Sequence, residues 1–271
     1  MTTARQDKVL LFRSLHDTAA PLALANAWDV AGARVVEAAG AAAIATTSAG
    51  VAWSLGLPDG DALGRDEALA VVARIARAVA VPVTADIEGG YGDDAAGVAE
   101  TVAAVAEAGA AGVNIEDGTR PPAELAARLA AARKAADEAG GLFLNARVDT
   151  YLFGLGDPET RLAETLSRAR RYVEAGADGV FVPGTADPAV ITALAEALPV
   201  PLNVMAGPGT PPVRDLAALG VARVSLGSSV AQAAYATARR TAQHLLSTGT
   251  YDPVSDAIPF PELNSLLTGR R

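Results

Sequence analysis

Eight short runs of β-branched or apolar residues alternate with eight longer stretches of helical periodicity, and this alternation constrains the fold more than any other feature. The candidate strands are 22–26, 42–47, 81–86, 112–116, 142–147, 179–183, 201–205 and 223–227. The candidate helices between and after them are 29–39, 65–79, 94–108, 122–139, 158–175, 187–198, 212–219 and 229–247. A strand that reaches its neighbour only through a helix must pair with it in parallel. Eight such units in 271 residues predict an α/β fold of the (β/α)₈ TIM-barrel type. A doubly wound open sheet is the alternative, but no Gly-x-Gly-x-x-Gly fingerprint follows the first strand. Gly40, Gly109, Gly140, Gly176 and Gly220 stand where helices should end. Asp93-Asp94, Asp157-Pro158 and Asp187-Pro188 stand where helices should begin. Ala-Gly-Ala-x-Gly occurs at 108–112 and again at 175–179, a repeated loop from helix to strand. No linker interrupts the chain, so one domain is expected over 1–271. Its tail, from about 250, contains Pro253, Pro259 and Pro261. That tail cannot be helical throughout, and Ile258-Pro-Phe-Pro-Glu-Leu263 should pack on a neighbouring surface.

Net charge of −9 argues against nucleic acid and anionic membrane as partners, since both require basic patches. An anionic small molecule stays admissible, because one cation and one Arg can reverse the sign inside a cleft. The absence of cysteine removes disulfides and thiol nucleophiles. The first residues lack the apolar core of a signal peptide, and the Ala-rich apolar stretches are too short to span a bilayer. A cytoplasmic location is the expectation.

In a barrel, chemistry gathers at the C-terminal ends of the strands. Residues two apart on a strand share a face, so Asp86 and Glu88 converge as the third strand gives way to Gly89-Gly-Tyr-Gly92. The fourth strand ends at Glu116-Asp117, the fifth at Asn145-Ala-Arg147-Val-Asp149. Asp86, Glu88 and Glu116 form a hard-oxygen set suited to Mg²⁺, or to Mn²⁺ in its place. Such acids also serve as helix caps or rim ion pairs. Arg147 is the basic member of the set, placed to clamp a substrate carboxylate or the charge of an enolate, or to pair with Asp149 or Glu116. Thr47-Ser-Ala-Gly-Val51 reads as a carboxylate nest built from Ser48, Ala49 and Gly50, or as a tight turn chosen for size. Asp59, on the following loop, reads as a support for a metal's water shell or as part of a surface turn. Asn203, in the seventh strand and counted with its C-terminal end, is read as a substrate-binding residue. His16 and His244 are expected in terminal helices and read as surface or packing residues, so no Ser/His/Asp or Cys/His scheme has support.

Taken together, these pieces resemble the isocitrate lyase/phosphoenolpyruvate mutase superfamily. The matching segments are Ser48–Asp59, Ala85-Asp-Ile-Glu-Gly-Gly-Tyr-Gly92, Asn114-Ile-Glu-Asp117, Ala146-Arg-Val-Asp149 and Leu202-Asn-Val-Met205. The resemblance spans roughly residues 10–250. It implies a (β/α)₈ barrel, Mg²⁺ at the strand ends, and a small 2-oxo or 2-hydroxy carboxylate whose C–C or C–P bond is broken or made through an enolate. It also implies a homodimer or homotetramer in which the eighth helix is exchanged between subunits. By position, Asp86 looks like the direct metal ligand, with Glu88, Glu116 and Asp59 as water-mediated supports. Arg147 looks like the clamp, and Ser48 to Gly50 like the carboxylate seat.

The chain departs from that family after Glu116. The lyases carry Lys-(Lys/Arg)-Cys-Gly-His there, whose Cys is a general acid, and the mutases carry Pro-Lys-x-Asn-Ser. Here the loop reads Asp117-Gly-Thr-Arg-Pro-Pro122. Arg120 is its one cation, able to hold a carboxylate but not to give up a proton. Chemistry that needs charge stabilisation alone survives. The expected activity is a Mg²⁺-dependent C–C lyase on a small 2-oxo or 2-hydroxy (di)carboxylate. A C–P cleaving or rearranging enzyme on a phosphonopyruvate-like compound, or a non-catalytic carboxylate binder, are the alternatives.

Overall fold

The computed structural model describes residues 4–268; the outermost residues assigned to the single domain, 1–3 and 269–271, lie outside them. Eight strands are present: β1 (Leu22–Leu24), β2 (Ile44–Ala45), β3 (Val83–Asp86), β4 (Gly112–Glu116), β5 (Phe143–Arg147), β6 (Gly179–Val182), β7 (Leu202–Met205) and β8 (Arg223–Ser225). All pair in parallel, in the order β1-β8-β7-β6-β5-β4-β3-β2. A parallel bridge between Ala27 and Thr46, beyond the ends of β1 and β2, brings the two edges together. The Ala27 amide donates to the Ala45 carbonyl across this seam at 2.9 Å. The fold is the expected (β/α)₈ barrel.

The helices are α1 (Ala4–Ser14), α2 (Val30–Ala38), α3 (Ser48–Ser54), α4 (Arg65–Ala78), α5 (Ala95–Glu107), α6 (Pro122–Glu138), α7 (Arg161–Glu174), α8 (Pro188–Ala197), α9 (Val213–Ala218), α10 (Ser229–Ser247) and α11 (Phe260–Thr268). Their ends follow local chemistry. Asp29, Asp94 and Asp187 each accept a backbone N–H of the first turn, from Gly32, Gly97 and Ala189. The five glycines expected at helix ends all have positive φ, between 84° and 106°, a region that costs glycine nothing. Pro122 and Pro188 open their helices as expected. Pro158 does not: Thr160 N–H closes a turn on the Asp157 carbonyl at 3.1 Å, and α7 starts only at Arg161. The tail forms α11 against α2, where Arg34 Nε donates to the Leu266 carbonyl at 2.8 Å. The contact lies beyond the expected segment, in which Ile258 and Phe260 stay exposed, at 43% and 79%.

Outward-facing strand residues such as Val113, Ile115, Leu144 and Val180 merge with Val98, Val102, Leu125 and Leu129 of the helices into one apolar shell. A second cluster closes the N-terminal end of the barrel. There α1 contributes Val9 and Phe12 against Leu22, Leu24, Ala43, Ala45, Ala111 and Phe143. Arg13 holds α1 in place by donating to both carboxylate oxygens of Asp178, at 2.6 and 3.0 Å. Truncating Phe12, which is fully buried, should cost roughly 3–5 kcal/mol.

His16 completes this stopper. Its ring stacks on Phe143 at 4.1 Å and 11°, and its Nδ1 donates to the Phe12 carbonyl at 2.8 Å. Burial, reinforced by the nearby charge of Arg223, pushes its pKa down to about 3. The folded protein therefore refuses a proton that the unfolded chain accepts at the ordinary histidine pKa of about 6.5. The unfolded state binds more protons between these values, so His16 makes stability rise with pH from about 3 to about 6.5. The slope contributed is at most about 1.4 kcal/mol per pH unit. Urea titrations from pH 4 to 7 should show this slope in the wild type and a shallower one in His16→Phe; equal slopes would exclude His16 as its source.

Candidate active site

The period-two pattern brings Asp86, Glu116 and Arg147 to the C-terminal ends of three adjacent strands, β3, β4 and β5. A pocket of about 160 Å³ opens there, lined among others by Asn26, Ser48, Ala49, Asp59, Asp86, Asn114, Arg147, Phe181 and Ser225. It is smaller than the roughly 300–1,000 Å³ that drug-sized ligands occupy, and suits a molecule of a few heavy atoms.

Thr47 caps α3 by accepting from Gly50 N–H at 3.4 Å. The Ser48–Gly50 segment is thus the first turn of a short helix rather than a free turn. Ser48 faces Asp86, with its hydroxyl 3.3 Å and its amide 3.5 Å from Oδ2. Ser48 and Ala49 line the pocket, whereas Gly50 packs against Thr47, Trp28 and Ala231, leaving no space for a side chain.

Arg147 takes both partners that the sequence allowed. Nε donates to Asp149 Oδ1 at 2.7 Å, and Nη1 lies 2.5 Å from Glu116 Oε2. Its guanidinium sits 5.9 Å from the Phe181 ring centre. Asp149 is itself held, its amide donating to Asp117 Oδ1 at 2.9 Å. Asp117 in turn accepts from Tyr172 Oη at 2.8 Å and Arg168 Nη1 at 3.1 Å. The pocket's one cation is therefore fixed by two carboxylates and a buried network behind them.

Three expectations about site residues need correction. Arg120 does not line this pocket: it pairs with Asp61 at 2.8 Å and approaches Glu124 at 3.7 Å, over a separate cleft beside Gly89 and Tyr91. The short loop turns back on itself, with Arg120 N–H donating to the Asp117 carbonyl at 2.8 Å, so the side chain leans outward toward the α3–α4 connection. Asn203 is also no wall of the pocket. It lies buried inside the barrel, with Nδ2 donating to the Val204 carbonyl at 2.8 Å and reaching Ser225 Oγ at 3.3 Å. Gly50, as described, serves packing.

Glu88 is buried behind Asp86 with a left-handed backbone, φ 50°, a conformation costly for a non-glycine residue. It accepts from the Asp61 amide and from Tyr91 Oη, the latter at 3.3 Å. Burial raises its pKa to about 7. Burial likewise raises Glu116, to about 8, against the opposing pull of Arg147. Asp86 is raised too, first by burial, with Arg147 opposing. Carboxylates outnumber cations around this pocket.

A hard divalent cation fits that imbalance. Asp86 Oδ1 is buried without a protein hydrogen-bond partner, which is costly unless something else meets it. Among the described residues no three acids stand close enough to chelate an ion between them. A single direct carboxylate with water completing the shell is a set Mg²⁺ readily accepts; Asp86 would be that carboxylate, and Asp59, Glu88 and Glu116 would act through water.

Over residues 12–246 the sequence matches the family described as phosphoenolpyruvate phosphomutase. The chain belongs to that family. It is similar to an uncharacterized protein of Mycobacterium tuberculosis, 41% identical over 94% of this chain and 95% of the other. It is also similar to the oxaloacetate decarboxylase of Pseudomonas aeruginosa, 32% identical over 93% and 91%. A Burkholderia cenocepacia structure superimposes with a TM-score of 0.91 at 37% identity, covering 98% of each chain. A phosphonopyruvate hydrolase solved with oxalate and Mg²⁺ does so with a TM-score of 0.81 at 28% identity, covering 96% and 94%. The superfamily anticipated from the motifs is therefore the right one, and its members are lyases and mutases of small carboxylates. The match ends at 246, which leaves α11 outside it.

Asp61 and the barrel-interior role of Asn114 are not among the residues that the sequence pattern singles out. Asn114 carried a usable signal, since it precedes Glu116 by two and so shares its face.

Proposed function

We propose that this protein is a Mg²⁺-dependent lyase that breaks a C–C bond in a small 2-oxo or 2-hydroxy (di)carboxylate, with oxaloacetate-like decarboxylation as the leading case. The observation that carries the proposal is one pocket holding Asp86, with a buried unpartnered carboxylate oxygen, together with Arg147. Likeness to an oxaloacetate decarboxylase supports it.

Mg²⁺ when bound supplies Lewis-acid polarisation of a 2-oxo group. Ser48 and Ala49 line the side where a substrate carboxylate can sit. Arg147, held rigid by Glu116 and Asp149, presents positive charge where the enolate develops, and so favours the transition state over the ground state. Breaking the bond to a departing carboxylate needs no general base, and water at the open mouth can return a proton to the enolate carbon. The loop after β4 supplies no acid for the reaction, because its Arg120 is turned away and cannot lose a proton near neutrality.

The test is a panel of 2-oxo and 2-hydroxy acids with Mg²⁺ or with chelator, following pyruvate, CO₂ and phosphate. CO₂ with pyruvate, abolished by chelator, is the expected result. Oxalate binding without turnover of any member of the panel would sink the proposal. Phosphate release from phosphonopyruvate would move the assignment to C–P chemistry, which the likeness to a phosphonopyruvate hydrolase makes the second reading.

The same proposal includes assembly as a homodimer or homotetramer. Of the 19 residues in α10 only Ala231 is buried, while Tyr235, Leu245 and Leu246 are exposed. A groove of about 500 Å³, lined by Leu24, Val35, Val36, Val213, Val224 and Leu226, runs along the wall where an eighth helix ordinarily packs. We assign it to α10 of a second copy. Sedimentation at micromolar concentration should give a dimer or larger; a sole monomer peak would contradict the assignment.

A further inference from the structure

The barrel interior beneath the pocket is polar, where such barrels ordinarily stack branched apolar side chains. Asn114 of β4 and Asn145 of β5 meet there, Asn145 Nδ2 donating to Asn114 Oδ1 at 3.0 Å. Asn145 Nδ2 also reaches Asn203 Oδ1 at 3.2 Å. From the opposite wall, Arg223 of β8 crosses the barrel and donates through Nη2 to the same Asn114 Oδ1 at 3.2 Å. Arg223 is 1% exposed, and its guanidinium lies 5.8 Å from the Phe12 ring centre. Its Nε and Nη1 have no hydrogen-bond partner.

A guanidinium without a carboxylate of its own is expensive at such depth. The counter-charge lies above it, in the acid-rich pocket, and Asn114 is the link because it also forms part of the pocket lining. Arg has donors and no acceptor. The Asn114 atom that faces Arg223 must therefore be the amide oxygen, and Asn145 Nδ2 makes the same demand. The amide nitrogen is then left for the pocket.

We propose that Arg223 is a positioning residue of the site: it locks the Asn114 amide with its N–H₂ toward the pocket and lends positive charge to the floor, so that the pocket favours a carboxylate or enolate oxygen over a neutral group. Although burial draws the Arg223 pKa down to about 9, it stays charged at neutral pH. The inference rests on the proposed function in taking the ligand to be a small anion.

Calorimetry with two probes tests it: Mg²⁺ alone, and oxalate at saturating Mg²⁺. Arg223→Met should weaken oxalate about tenfold, yet leave Mg²⁺ affinity equal or several-fold tighter, because a repelling charge is gone. Arg223→Lys should bind oxalate within about threefold of wild type. Asn114→Asp, which replaces the amide donor with an acceptor while Arg223 stays in place, should also weaken oxalate about tenfold and tighten Mg²⁺. A loosened barrel would weaken both probes together, so parallel losses would overturn the proposal. Unchanged oxalate affinity in Arg223→Met or Asn114→Asp would overturn it too, as would failure of Arg223→Lys to restore binding. If Arg223→Met does not fold, Asn114→Asp and Arg223→Lys decide. A wild-type protein that binds no oxalate would instead overturn the reading of the site itself.

Discussion

Arg147→Ala is expected to lower kcat by a factor on the order of 10²–10³, equivalent to about 3–4 kcal/mol of lost transition-state stabilisation, as for removal of one oxyanion donor. The loss should fall on kcat rather than on KM, because the interaction strengthens as enolate charge grows. A second penalty comes with it. Asp149 is fully buried and Glu116 partly so, and both use Arg147 as their cation. Removing one partner of a buried pair typically costs about 3–5 kcal/mol of stability. Arg147→Lys separates the two effects: it keeps a charge for the acids but cannot offer the guanidinium's fork to Glu116 and Asp149 together. Lys should recover most of the denaturation midpoint and little of kcat. Full activity in Arg147→Lys, or a raised KM as the sole defect in Arg147→Ala, would remove Arg147 from the chemical step.

The second large effect belongs to Asp86. Asp86→Ala should lower Mg²⁺ affinity by more than the roughly 10–100-fold typical of outer supports; Glu88→Gln and Glu116→Gln should fall within that range. The stability change has the opposite sign to that of Arg147→Ala. Asp86 is a buried carboxylate with one oxygen unpartnered, so its removal in metal-free protein should raise the denaturation midpoint. Calorimetry and urea unfolding, both with chelator-washed protein, provide the two readings. Unchanged metal affinity in Asp86→Ala would end its assignment as the direct ligand.

Much of the barrel was legible because its signals are local. Strand runs, helix-ending glycines and the N1 prolines at 122 and 188 depend on a few neighbouring residues. Pro158 misled because the same Asp-Pro pair also suits a turn, and Arg161 Nε secures that turn by donating to the Leu155 carbonyl at 3.1 Å. The two-residue strand period placed Asp86, Glu116 and Arg147 without further help. It could not choose partners between elements distant in the chain. Asp61 and Arg120 are 59 positions apart, and nothing near either one announces their pairing. Arg223 escaped for a different reason. In Ala222-Arg-Val-Ser225 the polar side chains alternate as they do on a strand with a wet face, and that face ordinarily points to solvent. In this barrel it points to the axis, a direction set only once all eight strands have joined.

The aromatic stopper at the N-terminal end has a kinetic consequence. With Phe12, Phe143 and His16 closing that end, no route runs through the barrel axis and the pocket opens at the C-terminal face. Whatever enters must leave by the route it came, and a second substrate molecule cannot move in until the last fragment has cleared. A retained carboxylate fragment and fresh substrate then contend for the same vacancy, so accumulated product should raise apparent KM while leaving maximal velocity untouched.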